Sequence, residues 1–328
     1  MTHYNIPVFV PHLGCPHDCV FCNQKKITGN EKPFECASAI KTIEENLKTI
    51  EKNDDKYVEI AFFGGSFTAI DDNTFKTLCL LGKKYIDEKK VDALRCSTRP
   101  DTIDKEKLIF MKECGFKTIE LGVQSTDETV LLKSGRGHTK EDVFFASYLI
   151  KDMGIDLGLQ MMIGLPFDTD EKTLNTAKDL ISLKPQCVRV YPTLVMEGTR
   201  LFDMYKSGDY EPWSLDKCIP ILSKVLNLFY ENNVNVVRVG LQTTDNINEK
   251  TVIGPYHASI RELAESEIYK NKIEKLKLKD DAYICVNDKE ISKAVGNKKS
   301  NITYFKEKYG INIKICGNPD VKKGEVKV

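Results

Sequence analysis

The chain lacks any run of the about eighteen apolar residues that a membrane helix needs. Its N-terminus also lacks a charged segment followed by a hydrophobic one, so nothing in it marks export, and it reads as cytoplasmic. A disulfide framework is missing too. The 11 cysteines are an odd number, scattered beyond the first three, which fits a reducing compartment better than a stapled secreted scaffold. Most of them, Cys79, Cys114 and Cys187 among them, are expected to behave as small buried hydrophobes. Net charge is absent overall, 48 Lys and Arg against 48 Asp and Glu, but this balance hides an asymmetry. Residues 268–328 hold 15 Lys against 8 Asp and Glu, a net +7, which leaves −7 on residues 1–267. The basic end therefore reads as a separate unit, either a solvated face or a surface for nucleic acid.

At 328 residues and 41% hydrophobic composition, the chain can bury the core of one large α/β domain with a smaller appendage. Its chemistry concentrates early. The run Gly14-Cys15-Pro16-His17-Asp18-Cys19-Val20-Phe21-Cys22 sets three thiols at C-x3-C-x2-C. Thiolate is the soft ligand of iron–sulfur clusters, which normally take four, so a triad leaves one iron of a [4Fe–4S] cube open to another ligand. A structural zinc is the alternative and needs a fourth Cys or His, for which His12, His17 or Cys36 is available, although Cys-pair zinc sites usually come as two separated doublets.

From the N-terminus onward, strands alternate with helices. The β-branched and aromatic stretch 4–10 predicts a strand that leads into the cysteine loop, and residues 36–52 predict a helix. Strands at 57–63, 91–97, 116–123, 155–163, 186–192 and 234–239 follow, with helices at 72–89, 104–114, 140–153, 170–183 and 216–232 between them. This order implies a parallel sheet with right-handed crossovers, as a barrel, a partial barrel or a doubly wound open sheet. Functional loops then gather at the C-terminal ends of the strands. Gly64-Gly65-Ser66 ends the second strand, where glycine allows close backbone approach to a ligand or simply makes a tight turn. Gln124 ends an apolar strand and could hydrogen-bond a ribose; Arg136 could pair with a carboxylate; both could equally be rim residues.

The cysteine spacing, with Phe21 just before the last thiol, resembles the cluster motif of the radical S-adenosylmethionine (SAM) enzymes. The resemblance implies a [4Fe–4S] cluster on Cys15, Cys19 and Cys22 whose open iron chelates SAM. It further implies one-electron cleavage of SAM to a 5′-deoxyadenosyl radical, with the electron coming from a low-potential donor such as flavodoxin or ferredoxin. It assigns Phe21, Gly64, Gly65, Ser66, Gln124 and Arg136 to the cofactor pocket, and the fold to a partial (β/α)6 TIM-like barrel. Further segments resemble the catalytic subunit of the Elongator complex: 95–101, 120–125, 136–139, 191–195 and Gly198-Thr199, within roughly residues 5–242. That subunit makes carboxymethyl-type changes to wobble uridine in tRNA and also carries an acetyltransferase domain. The residues after 242 are too few for that domain.

The tail resembles something else. A helical connector is expected over 243–279, then strand 282–286, helix 288–295, helix 301–309 and strand 311–315. The order, and the stretch 291–302, resemble the KH domains of the transcription factor NusA, which implies an RNA-binding α/β domain over 280–328. KH folds clamp nucleotides with a G-x-x-G loop; here the loop is Gly296-Asn297-Lys298-Lys299, with lysine in place of the second glycine. A small lid that binds no nucleic acid is the plainer reading. Two resemblances thus point to RNA, tRNA in particular, against two alternatives: radical chemistry on a small molecule or porphyrin, as in coproporphyrinogen oxidase relatives, and a non-catalytic cluster carrier or RNA-binding scaffold.

Overall fold

A computed structural model describes residues 2–10, 15–23, 36–50, 55–244 and 247–328. His12 and Gly14 lie outside the described residues. Seven strands form one parallel sheet in chain order: β1 (Thr2–Phe9), β2 (Lys56–Phe63), β3 (Ala93–Thr98), β4 (Phe116–Gln124), β5 (Asp156–Ile163), β6 (Cys187–Pro192) and, after one strand that leaves the sheet, β8 (Asn235–Val239). The departing β7 (Val195–Met196) pairs antiparallel with β9 (Val252–Ile253). The sheet is curled and open, with β1 and β8 at its edges: the expected partial barrel, one strand longer than six.

Each crossover carries a helix: α1 (Cys36–Thr49), α2 (Asp72–Asp87), α3 (Lys105–Glu113), α4 (Glu128–Lys133) with α5 (Lys140–Asp152), α6 (Asp170–Ser182), and α7 (Arg200–Ser207) with α8 (Leu215–Glu231). Short polar residues start them. Asp104 accepts from the Lys107 N–H, Thr169 from Lys172 and Ser214 from Lys217, while Thr139 and Asp142 close a reciprocal capping box. The short helices α4 and α7 were not expected; at 6 and 8 residues they carry too little periodicity to read.

The two faces of the sheet differ in chemistry. Val58, Ile60, Phe62, Leu94, Ile119, Leu121, Leu159, Met161, Val188 and Val190 point to the helices and form one core with Ile43, Leu78, Leu108, Val143, Ala177 and Leu222. The registers put Glu59, Arg95, Ser97, Glu120, Gly122, Gln160, Arg189 and Tyr191 on the other face, inside the barrel.

After β9 comes α9 (Ile260–Lys275), which belongs to two cores. Ile260, Ala264 and Ile268 pack into the barrel's helical layer, while Tyr269 and Ile273 enter a separate core with Ile284, Val286, Phe305 and Ile313. That second core is built from β10 (Ala282–Val286), α10 (Ile291–Val295), α11 (Ser300–Tyr309) and β11 (Ile313–Gly317), with β10 and β11 parallel. The expected strand, helix, helix, strand order is present, although the first helix is shorter, opening as a 3-10 turn over 288–290. Among the described residues, no helix is long and apolar enough to cross a membrane.

Candidate active site

The cysteine loop lies at the C-terminal rim of the sheet, held from two sides. Val20 N–H donates to the Ser134 carbonyl (3.1 Å), and the Val20 carbonyl accepts from Leu201 N–H (2.8 Å). Val20 is buried with Val195, Leu201 and Tyr210, and half-buried Phe21 packs on the same cluster, which makes it an apolar anchor of the loop. His17 lies against Gly137, where a Cβ would come within 2.3 Å of the imidazole; φ of +74° there also favours glycine.

Two of the three thiols feel each other's charge. The Cys15 thiol, although exposed, is pushed up by partial desolvation in the loop and by its neighbour Cys19, against the opposing pull of Arg99, the Ser66 backbone N–H and Arg136. Arg136 Nη1 donates to Cys19 Sγ (3.1 Å) and Nη2 to the Gly122 carbonyl. Among the described residues no group of three or more metal-ligating side chains is found, and Cys22 is half-buried at the end of the same loop. The same rim gathers the other expected residues. Gly64, at φ +101°, and Gly65 lead into Ser66, whose backbone N–H faces Cys15. The Ser66 hydroxyl is turned away, bonded to Thr98 (3.0 Å) and Thr102 (3.3 Å), so only its backbone is left for a ligand. Gln124 sits in the left-handed region (φ +69°) at the end of β4, and its Oε1 is buried without a partner. The Nε of Arg136 is likewise buried and unpartnered.

Several further residues here lie in segments that the sequence singled out, 95–101, 120–125 and 136–139, but their roles were not read from it. Arg99 is buried, forks onto Asp101 with two 2.9 Å bonds and donates to the Arg136 carbonyl, so it fixes the loop that carries Arg136. His138 is buried with neither ring nitrogen bonded; burial, then Arg136 and Arg99, lower its pKa to about 3, which keeps it neutral. Below the rim, Glu120 joins Arg95 (2.6 Å), Arg189 (3.0 Å to Oε1) and Gln160 (3.1 Å), and Arg95 also reaches Glu59 (3.0 Å). Burial alone would raise the Glu120 pKa, but hydrogen bonding and charge from Arg189, with the charge of Arg95, outweigh it and hold the carboxyl below its usual range. The available signal was polar residues recurring at every second position within strands that otherwise read as buried.

The fold and the site define a half-barrel enzyme whose thiol loop, guanidinium and unspent amide oxygen converge on the C-terminal rim. The chain belongs to the radical SAM superfamily: that family's model matches residues 9–180, and the model described as Radical_SAM C-terminal domain matches 185–270. A tRNA uridine(34) acetyltransferase of Methanocaldococcus jannaschii is 29% identical over 248 residues, covering 64% of this chain and 46% of that protein. The chain thus spans about half the length of such relatives. An uncharacterized protein of the same organism is 30% identical over 261 residues, 77% of this chain and 79% of that one. Among solved structures, the Methanocaldococcus infernus Elp3 with an N-terminal deletion superposes with a TM-score of 0.65 at 23% identity, covering 83% of this chain and 63% of that one.

Radical SAM enzymes use a [4Fe–4S] cluster and SAM, and the residues present fit both. Adjacent soft thiols beside a buried guanidinium suit a cluster. The orphaned Gln124 Oε1 and Arg136 Nε suit a polar ligand that would complete their bonding.

Proposed function

We propose that this radical SAM enzyme modifies tRNA, with the basic C-terminal unit holding RNA phosphates while the barrel receives the reacting nucleotide. The observation that carries this reading is the likeness, over 64% of the chain, to proteins named for tRNA uridine 34. When bound, the cluster and SAM supply one-electron cleavage of the sulfonium and abstraction of a substrate hydrogen. The protein does the rest. Cys15, Cys19 and Cys22 hold the cluster; the backbone of Gly64, Gly65 and Ser66, the Gln124 amide and the Arg136 guanidinium orient SAM. Gln160, Arg189 and Tyr191, half-buried inside the barrel, are positioned by the Glu120 network to meet a base or sugar. Flavodoxin or ferredoxin is the proposed electron source.

The C-terminal unit supports the RNA side of the reading. Gly296 is buried at φ +82°, and a Cβ there would lie 2.3 Å from Ser300 Oγ, so the loop between α10 and α11 turns tightly against the second helix. Lys298 and Lys299 follow it, both exposed and both left-handed, with φ of +50° and +63°. A KH-like grip on phosphates through this loop is the proposed role.

The test starts from anaerobically reconstituted protein with dithionite and SAM. The expected product is 5′-deoxyadenosine, formed faster when tRNA is added and abolished by Cys19→Ala together with the cluster iron. Modified nucleosides in tRNA from cells with and without the gene should then differ at one position. Deoxyadenosine formation indifferent to tRNA, with identical nucleoside profiles, would reject the RNA substrate.

A further inference from the structure

We infer that Phe167, with Lys133 beside it, is a stacking site for an unpaired RNA base at the mouth of the barrel, an inference that rests on the RNA reading above. Phe167 lies just past the C-terminal end of β5, on the rim that carries the cysteine loop. The link is short: Lys133 Nζ is 5.0 Å from the centroid of the Phe167 ring, and the next residue, Ser134, bonds the cysteine loop through Val20.

The ring does nothing for the core, being 57% exposed. It is nevertheless held in place. Tyr210 donates to the Gly164 carbonyl (2.6 Å), Asp168 accepts from Gly164 N–H (2.8 Å) and from Thr173 (2.7 Å), and Lys172 donates to the Phe167 carbonyl (3.1 Å). Phe167 itself has φ of +65°, which a bulky residue seldom adopts. A large apolar ring fixed in water in a strained conformation suits a binding role better than a folding one. Lys133 names the partner's chemistry. It is exposed, and among the described residues no carboxylate lies within ion-pair distance of it. An exposed ring with a cation of no carboxylate partner over one face matches a nucleotide, with its base stacked on the ring's other face and its phosphate on the ammonium.

The experiment measures binding of an unmodified tRNA anticodon stem-loop to the full-length protein across a salt series. Phe167→Gly, which relieves the left-handed strain and should fold at least as well, is expected to weaken binding about 5- to 100-fold at every salt concentration without changing the log–log slope. Phe167→Trp should retain affinity. Lys133→Ala should flatten the slope by about 0.7, one phosphate contact. Equal affinity of wild type and Phe167→Gly would overturn the stacking site and leave the RNA reading standing; no binding by wild type would overturn both. A Phe167→Gly protein that binds RNA normally but is reduced more slowly by flavodoxin would make this a protein docking surface and overturn the inference.

Discussion

The inner face of the barrel and the C-terminal unit both depend on charged side chains, and they use them in opposite ways. Inside the barrel, Glu59, Arg95 and Glu120 are each at most 6% exposed and bonded to one another across three strands. In the C-terminal unit, Glu274 gathers Tyr304, Tyr309 and Lys308 at the surface, and Lys298 and Lys299 stand exposed on their loop. Buried charges must be paired to be tolerated, so those of the barrel are committed to each other and serve to fix side chains. Exposed charges are only lightly committed, so they remain available to a ligand. The barrel's capacity for ligands therefore lies in its thiols and unspent donors, and the tail's lies in its charge.

The largest expected effect comes from breaking the buried set. Glu120→Ala would strand Arg95 and Arg189 without their shared carboxylate and is expected to destabilise the protein by about 3 to 5 kcal/mol. Glu274→Ala at the surface should remove less than about 1 kcal/mol. Urea unfolding followed by circular dichroism measures both. Equal losses from the two variants would erase the distinction between a committed interior and a lightly committed surface.

A smaller effect separates the two regions by pH. His138 titrates near 3 in the folded chain against an ordinary 6.5, so between those values the unfolded chain binds a proton that the folded chain refuses. Stability must then rise with pH across that window and fall as pH drops from 6.5. Glu274, lowered to about 2 chiefly by the Tyr304 hydroxyl, behaves differently: its contribution is complete above the ordinary carboxylate value of 4.5 and is lost progressively as pH falls from there through 2. Between pH 6.5 and 5, acid should therefore weaken the barrel and spare the surface pair. In the cofactor-free protein, His138→Gln should flatten the melting temperature over this range, whereas Glu274→Gln should not. An unchanged slope in His138→Gln would mean that the imidazole is not held neutral.

What the sequence revealed and what it hid divide along the same physical line. The rim position of the cysteine loop, Gly64-Gly65 and Gln124 could be read from the sequence because each is a short contiguous signal at the end of a strand, and the order of elements places strand ends together; Arg136 lies beyond α4 and returns to the rim through its bonds to Cys19 and Gly122. The strand, helix, helix, strand order of the tail was legible from local periodicity, and its second helix was expected within one residue of Ser300–Tyr309. The Glu120 network was not, because its partners are 25 and 69 residues away along the chain and only strand register joins them. Phe21 shows the complementary limit: a motif names the residue, but only packing reveals that its ring lies against the apolar cluster of Val20, Val195, Leu201 and Tyr210.

The smallest expected effect tests the tail directly. Lys298 and Lys299 are exposed, adjoin the first turn of α11, and precede a helix whose N-terminal residue offers no side-chain cap, so the dipole and the lysines act on the same point. If each neutralises one phosphate of single-stranded RNA, each adds about −0.7 to the slope of log affinity against log salt. Changing both to Asp should therefore flatten that slope by about 1.4 and weaken binding most at low salt. Phe167→Gly, by contrast, should shift affinity without touching the slope. The two variants together separate charge from stacking: a slope that survives Lys298→Asp with Lys299→Asp would place the phosphate contacts elsewhere on the +7 surface of residues 268–328 and detach the KH-like loop from the RNA reading.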